Sequence, residues 1–160
     1  MNNIKLNNLI VVLSFFIKLS VLAQSPTDLI GKDSINHALL SELMIKSLNA
    51  NRLKIGVQPL SPDSSAMSFA KRHCLWMVNK GLVHAEEEGF LDCIQECFIS
   101  SLLTYQEAAD LLIRKWMNSK PHKKVLMGAE HRKCGTFTAE YEKTQLVAGF
   151  CVRSNFTVIY

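Results

Sequence analysis

Two periodicities divide this chain. Over residues 34–55, Leu40, Met44 and Leu48 recur at one helical turn and Leu43 widens the stripe, which predicts an amphipathic first helix ended by Gly56. Pro59 biases Gln58 away from helical backbone, so residues 57–60 read as extended. A second helix starts with Ser61 as cap, Pro62 in the first position and Asp63 at the positive end of the dipole. Ala66, Phe69, Ala70, His73 and Met77 fall on one face of it, and Gly81 ends it. Residues 82–103 show no clean period. Thr104, followed three residues later by Glu107, forms a capping box for a third helix with Ala109, Leu112, Ile113 and Trp116 as its apolar stripe. Lys120-Pro121 breaks that helix, and residues 122–127 make a short further turn.

Beyond Gly128 the period becomes two. Gly135, Phe137, Ala139 and Tyr141 alternate with Cys134, Thr136, Thr138 and Glu140, and residues 145–152 alternate likewise. A two-residue turn at Glu142-Lys143 sets Phe137 opposite Ala148, Ala139 opposite Leu146 and Cys134 opposite Cys151. That register favours a cross-strand disulfide, although the turn lacks the Asn-Gly type of signal. Residues 154–160 read as one more short strand.

Composition changes the picture at the N-terminus. Lys5, the apolar run 9–22 and Val21-Leu22-Ala23 read as a secretory signal over residues 1–23, interrupted by Ser14, Lys18 and Ser20 and so a poor permanent span. Residues 24–160 are then a single domain, secreted or periplasmic, with no integral membrane span. It keeps 16 basic and 14 acidic side chains, a net charge of +2 that argues against nucleic acid as a partner. Export permits disulfides, and five cysteines leave at least one thiol unpaired or intermolecular. Cys93 and Cys97 are alternative partners for Cys74, and no Cys-x-x-Cys pair supports a zinc ribbon.

The chemistry-bearing residues cluster at helix ends. His84 follows the second helix, His122 lies just past the Pro121 break, and Glu96 comes twelve residues after His84. These three are expected to converge. His73 reads as a packing histidine, Glu86-Glu87-Glu88 as a solvated loop, and Glu107 as spent on capping. The triplet Asn155-Phe156-Thr157 fits a glycosylation sequon and is given no weight.

Four stretches in order resemble the CAP superfamily of cysteine-rich secretory, antigen 5 and pathogenesis-related proteins, in its short bacterial secreted form. They are Asn49-Ala50-Asn51-Arg52 with Gly56-Val57-Gln58-Pro59-Leu60; Ala70 to Met77 with His84; Trp116-Met117-Asn118-Ser119-Lys120-Pro121-His122; and the glycine-bearing hairpin from Cys134-Gly135. The resemblance implies an α+β fold, a three-layer α-β-α sandwich with a central antiparallel sheet. It also implies a cleft of two histidines and two acids, some members holding a divalent metal there. Carried over, the histidines are His84 and His122 and the first acid is Glu96, while Ser119 stands at the second acid position. Two imidazoles and one carboxylate can hold zinc with water as fourth ligand, or can be a hydrogen-bonded cluster that shapes a groove. The expected function is a non-enzymatic binding module whose cleft takes a small apolar ligand, a glycan or an extracellular protein. The alternative is a hydrolase, assisted by metal at His84, Glu96 and His122 or using Cys93 or Cys97 as nucleophile.

Overall fold

The protein is described by a computed structural model over residues 24–144 and 148–160. The proposed signal, residues 1–23, lies outside the described residues. Four helices and four strands follow in the order α1 (His37–Lys54), β1 (Ser61–Pro62), α2 (Ser64–Lys80), β2 (Phe90–Ser100), α3 (Tyr105–Met117), α4 (Lys120–Leu126), β3 (Lys133–Thr144) and β4 (Gly149–Ile159). The sheet order is β1-β3-β4-β2, antiparallel except for the short parallel pair of β1 with β3. Helix α2 covers one face, and α1, α3 and α4 cover the other, which makes the three-layer sandwich.

The helices start where their side chains can satisfy orphan amides. Asn36 accepts from Leu39 N–H at 3.1 Å to cap α1, and the Thr104/Glu107 box closes on α3 as its sequence pattern predicts. Helix α2 starts later than expected. Ser61 and Pro62 are taken by β1, where Ser61 N–H donates to Arg132 C=O at 2.9 Å, and the cap passes to Asp63, whose carboxylate accepts from Ser65 and Ala66. These bonds and the Lys133 ammonium hold the Asp63 carboxyl far below the usual range.

Three sequence expectations are corrected. Residues 82–103 contain an eleven-residue strand, β2. Both its faces are covered at some point along its length, with Cys93, Cys97 and Ile99 toward α1 and α3 and Ile94 toward α2, so no simple alternation survives. Residues 149–159 form one strand where two were expected, and β3 runs on to Thr144, paired with Gly149. The turn therefore lies beyond Glu142-Lys143, in a segment partly outside the described residues, and a bulge between Glu140 and Glu142 resets the register. Cys134 is consequently opposite Val158, and Cys151 opposite Glu142. All five cysteines are free thiols. Burial pushes the Cys74, Cys93 and Cys134 thiols up to about 12.

Close approach of layers explains one glycine. A Cβ on Gly135 would fall 2.1 Å from the Ala66 backbone, so a bare α-carbon is what lets α2 lie on β3. The other layer is tied by Arg52 near the end of α1, which is fully buried. Its guanidinium donates to the carbonyls of Gln58 at 2.8 Å, Leu126 at 2.6 Å, Gly128 at 3.1 Å and His131 at 3.2 Å. Asn49, one turn earlier, exchanges two 2.8 Å bonds with the Leu60 backbone.

Replacing Arg52 by Met leaves four carbonyls without their donor. The expected loss of stability is about 3–5 kcal/mol, read by urea unfolding against wild type; a loss below about 1 kcal/mol would show that these bonds are replaced by solvent.

Candidate functional site

The site forms where α2, β2 and α4 meet near one edge of the sheet. Gly81, at φ 96°, ends α2 and lets the chain turn away, carrying His84 into the loop ahead of β2. On the other side Asn118 and Ser119 separate α3 from α4. Pro121 occupies the first turn of α4, where its missing N–H costs nothing, and places His122 beside it. The two imidazole rings face each other with centroids 6.3 Å apart and planes tilted by 44°.

The carboxylate behind His84 is Asp92. Its Oδ1 lies 2.7 Å from His84 Nδ1. Its Oδ2 accepts from Ala85 N–H at 3.2 Å and from Asn155 Nδ2 at 3.3 Å, and lies 3.2 Å from His73 Nδ1. Asn155 Oδ1 in turn accepts from the Thr157 hydroxyl. With His84 donating from Nδ1 to one oxygen and Ala85 and Asn155 donating to the other, both oxygens of the Asp92 carboxylate are engaged, as burial of a charge requires, and Asn155 Nδ2 also lies 3.1 Å from His73 Nδ1. The consequence for His84 is a fixed tautomer, in which Nδ1 holds the proton on Asp92 and Nε2 offers a lone pair to the open side. His84 is 58% exposed in its side chain and Asp92 6%, so one ring links a buried anion to solvent. His122 is held below the ordinary histidine range, first by burial and then by the neighbouring His84, with Asp92 acting the other way.

Glu96 lies elsewhere. Its carboxylate accepts from Arg153 Nε at 3.0 Å and is held low by bonds to Tyr141 and Arg153. It is four residues along β2 from Asp92, a rise of roughly 13 Å. His84 and His122 are thus brought together, and Glu96 sits with Arg153, whose guanidinium also lies 4.4 Å over the Tyr141 ring. Ser119 occupies the cap position of α4 with no side-chain capping bond. Cys93 directs its thiol to the His122 backbone carbonyl at 3.8 Å and is buried, and burial raises the Cys97 thiol as well, so neither is an activated nucleophile.

Sequence reasoning missed Asp92, Asn155 and Thr157 and read His73 only as packing. His73 is buried against Phe69 and Trp76 and also reaches Asp92. The signal for Asp92 is the even set Phe90, Asp92, Ile94 on the face toward α2, legible only once β2 is recognised as a strand. Asn155 and Thr157, two of the three sequon residues, are fully buried.

Among the described residues no group of three or more His, Cys, Asp or Glu is arranged to hold a metal ion. Two imidazoles converge, and the carboxylate nearest them is spent on His84 Nδ1, so the donor set does not fit a resident zinc ion.

No protein-family model matches the chain, and no curated protein matches it. Solved structures do match. NaASP2, in a crystal structure with Zn2+, aligns with a TM-score of 0.54 at 11% identity, covering 74% of this chain and 78% of that one. Na-ASP-1 aligns at 0.50 and 12%, covering 74% and 38%. An extracellular SCP-domain protein from Bacillus anthracis aligns at 0.48 and 16%, covering 75% and 40%, so this chain spans less than half of the latter two.

Two measurements check the site. His122 should titrate below the ordinary value of 6.5 by NMR, rise when His84 is replaced by Gln, and fall further in Asp92→Asn. Because the folded state takes up that proton later than the unfolded chain, stability should decline as pH falls below 6.5; an unshifted His122 would remove the electrostatic link between the rings. Calorimetric titration with zinc should show no stoichiometric micromolar binding, and tight binding lost in His84→Ala/His122→Ala would overturn the reading of the donor set.

Proposed function

Given the CAP-superfamily fold of the chain, we propose that it is a secreted, non-enzymatic binding module whose cleft at His84 and His122 receives the polar group of a ligand. The observation that carries this reading is the buried Asp92 locking His84 through Nδ1, which presents a fixed acceptor nitrogen opposite His122. Two imidazoles at this spacing suit a group with its own donor and acceptor, such as a glycan hydroxyl, a carboxylic acid or a peptide amide. Trp76, half-exposed and 5.8 Å from the His73 ring, supplies an apolar surface to the same neighbourhood. Secretion follows from the signal read in the sequence, and among the described residues no helix is long and apolar enough to cross a membrane.

A second reading has one observation in its favour. A histidine backed by a buried carboxylate is also a general base, and His84 Nε2 has the orientation to take a proton from water. Such a hydrolase would act without the metal and cysteine routes, for the reasons of donor set and thiol burial given above.

The test is an NMR titration with soluble glycans, short-chain carboxylates and peptides, observed at the His84 and His122 ring protons. One class should shift both rings in wild type and neither remaining signal should respond in Asp92→Asn or in the single alanine variants at His84 and His122. Alanine at His37 or His131 should leave the response intact. Ester or glycoside turnover that disappears in His84→Ala would replace the binding reading with the hydrolytic one.

A further inference from the structure

Gln24, the first described residue, is joined to the core by its side chain. Tyr105, which opens α3, is fully buried. Its hydroxyl accepts from Asn36 N–H at 2.8 Å and donates to Gln24 Oε1 at 3.3 Å. A buried hydroxyl needs an acceptor for its own proton, and Gln24 is where that proton goes.

The residues that follow are tied to the same place. Pro26 C=O accepts from Gln106 N–H and Asp28 C=O from Tyr105 N–H, both at 3.1 Å, so this segment satisfies two of the orphan amides that open α3. Leu29 bridges Thr104, and Ile30 N–H donates to Leu103 C=O at 2.9 Å. The Asp28 carboxylate accepts from Ser25 N–H at 2.6 Å and closes the turn just after Gln24. Gln24 is otherwise exposed, as a processing site requires. The signal reading, with Val21-Leu22-Ala23 as its small-residue site, makes Gln24 the first residue of the exported chain.

We propose that Gln24, once the signal is removed, closes to pyroglutamate, and that the carbonyl of the new ring is the acceptor that Tyr105 keeps. A glutamine at a free N-terminus carries a nucleophile and an electrophile in one residue. The neutral α-amine attacks the side-chain Cδ. The bond from the α-nitrogen to Cδ forms, the bond from Cδ to Nε2 breaks, and Nε2 leaves as ammonia with the proton that the amine gives up. The step is intramolecular and consumes no oxidant, metal or second substrate. Oε1 stays on Cδ as a carbonyl oxygen, so the ring can make the hydrogen bond that the open side chain makes. Closure also removes the rotation of that side chain and the charge of the terminal ammonium, which leaves less to order against Tyr105. The inference rests on the signal reading of the N-terminus and is independent of the ligand proposed for the cleft.

The experiment is intact-mass spectrometry and N-terminal sequencing of the full chain, expressed with its own leader in a bacterium that exports it. The expected product begins at Gln24, is lighter than the open chain by the mass of one ammonia, and is blocked to sequencing. A product that begins at Gln24 with a free amine overturns ring closure itself. A product that begins at another residue overturns the proposal through its premise, the signal boundary. Urea unfolding tests the contact. Gln24→Ala should lower the midpoint in the wild-type background and change nothing further in Tyr105→Phe, because both act through one bond; losses that add overturn the role given to the ring carbonyl. Should Tyr105→Phe fail to fold, the chain released from a cleavable fusion with Gln24 first is compared before and after closure. The closed form should unfold at higher urea, and equal midpoints overturn that role as well.

Discussion

A buried guanidinium with four carbonyl partners fixes the relation of three segments that are distant in sequence. Arg52 belongs to α1, yet its bonds end on the loop after α1, the last residue of α4 and the turn into β3. Its charge is compensated by carbonyl dipoles, two of them at and just beyond the C-terminal end of α4, where a cation is favoured. The helix that carries His122 is thereby pinned at its far end, while Pro121 determines its near end. Both boundary conditions are needed for a seven-residue helix, which has little intrinsic stability. The position of His122 opposite His84 is in this sense a property of Arg52.

The other half of the site depends on a buried anion. Asp92 sits on the face of β2 that looks toward α2, and α2 contributes His73 while β4 contributes Asn155. The alternation of β2 and the bare α-carbon of Gly135 place these groups together, one by orienting the carboxylate and the other by letting α2 approach. The cluster spans the sheet and one covering helix. Only its last member, His84, reaches the open side.

Much of the fold was legible because the helices obey single-face rules. Leu40, Met44 and Leu48 are buried, as is the stripe Ala109, Leu112, Ile113 and Trp116, and the Thr104/Glu107 box closes as its spacing implies. The strand β2 was not legible, since Asp92, Gln95 and Glu96 put polar groups on both faces, each answered by a partner distant in sequence: His84, the Leu112 carbonyl and Arg153. The site was half legible for the same reason. His84 and His122 stand at helix ends that punctuation residues mark, whereas choosing Asp92 over Glu96 as the neighbour of His84 needs the strand register. The hairpin failed on a local detail, because a bulge at Tyr141 leaves no trace in an alternating pattern.

The free thiols make oxidation a reporter of folding. Cys74, Cys93 and Cys134 are buried and held almost wholly protonated, so the folded chain offers oxidants few thiolates. The unfolded chain offers five at ordinary reactivity. In an oxidising environment the order of events then matters: a chain that folds first shields Cys74, Cys93 and Cys134, and one that lingers unfolded can join Cys134 to Cys151, which the native register sets apart. The state of those three thiols in the product thus records the outcome of a race between collapse and oxidation.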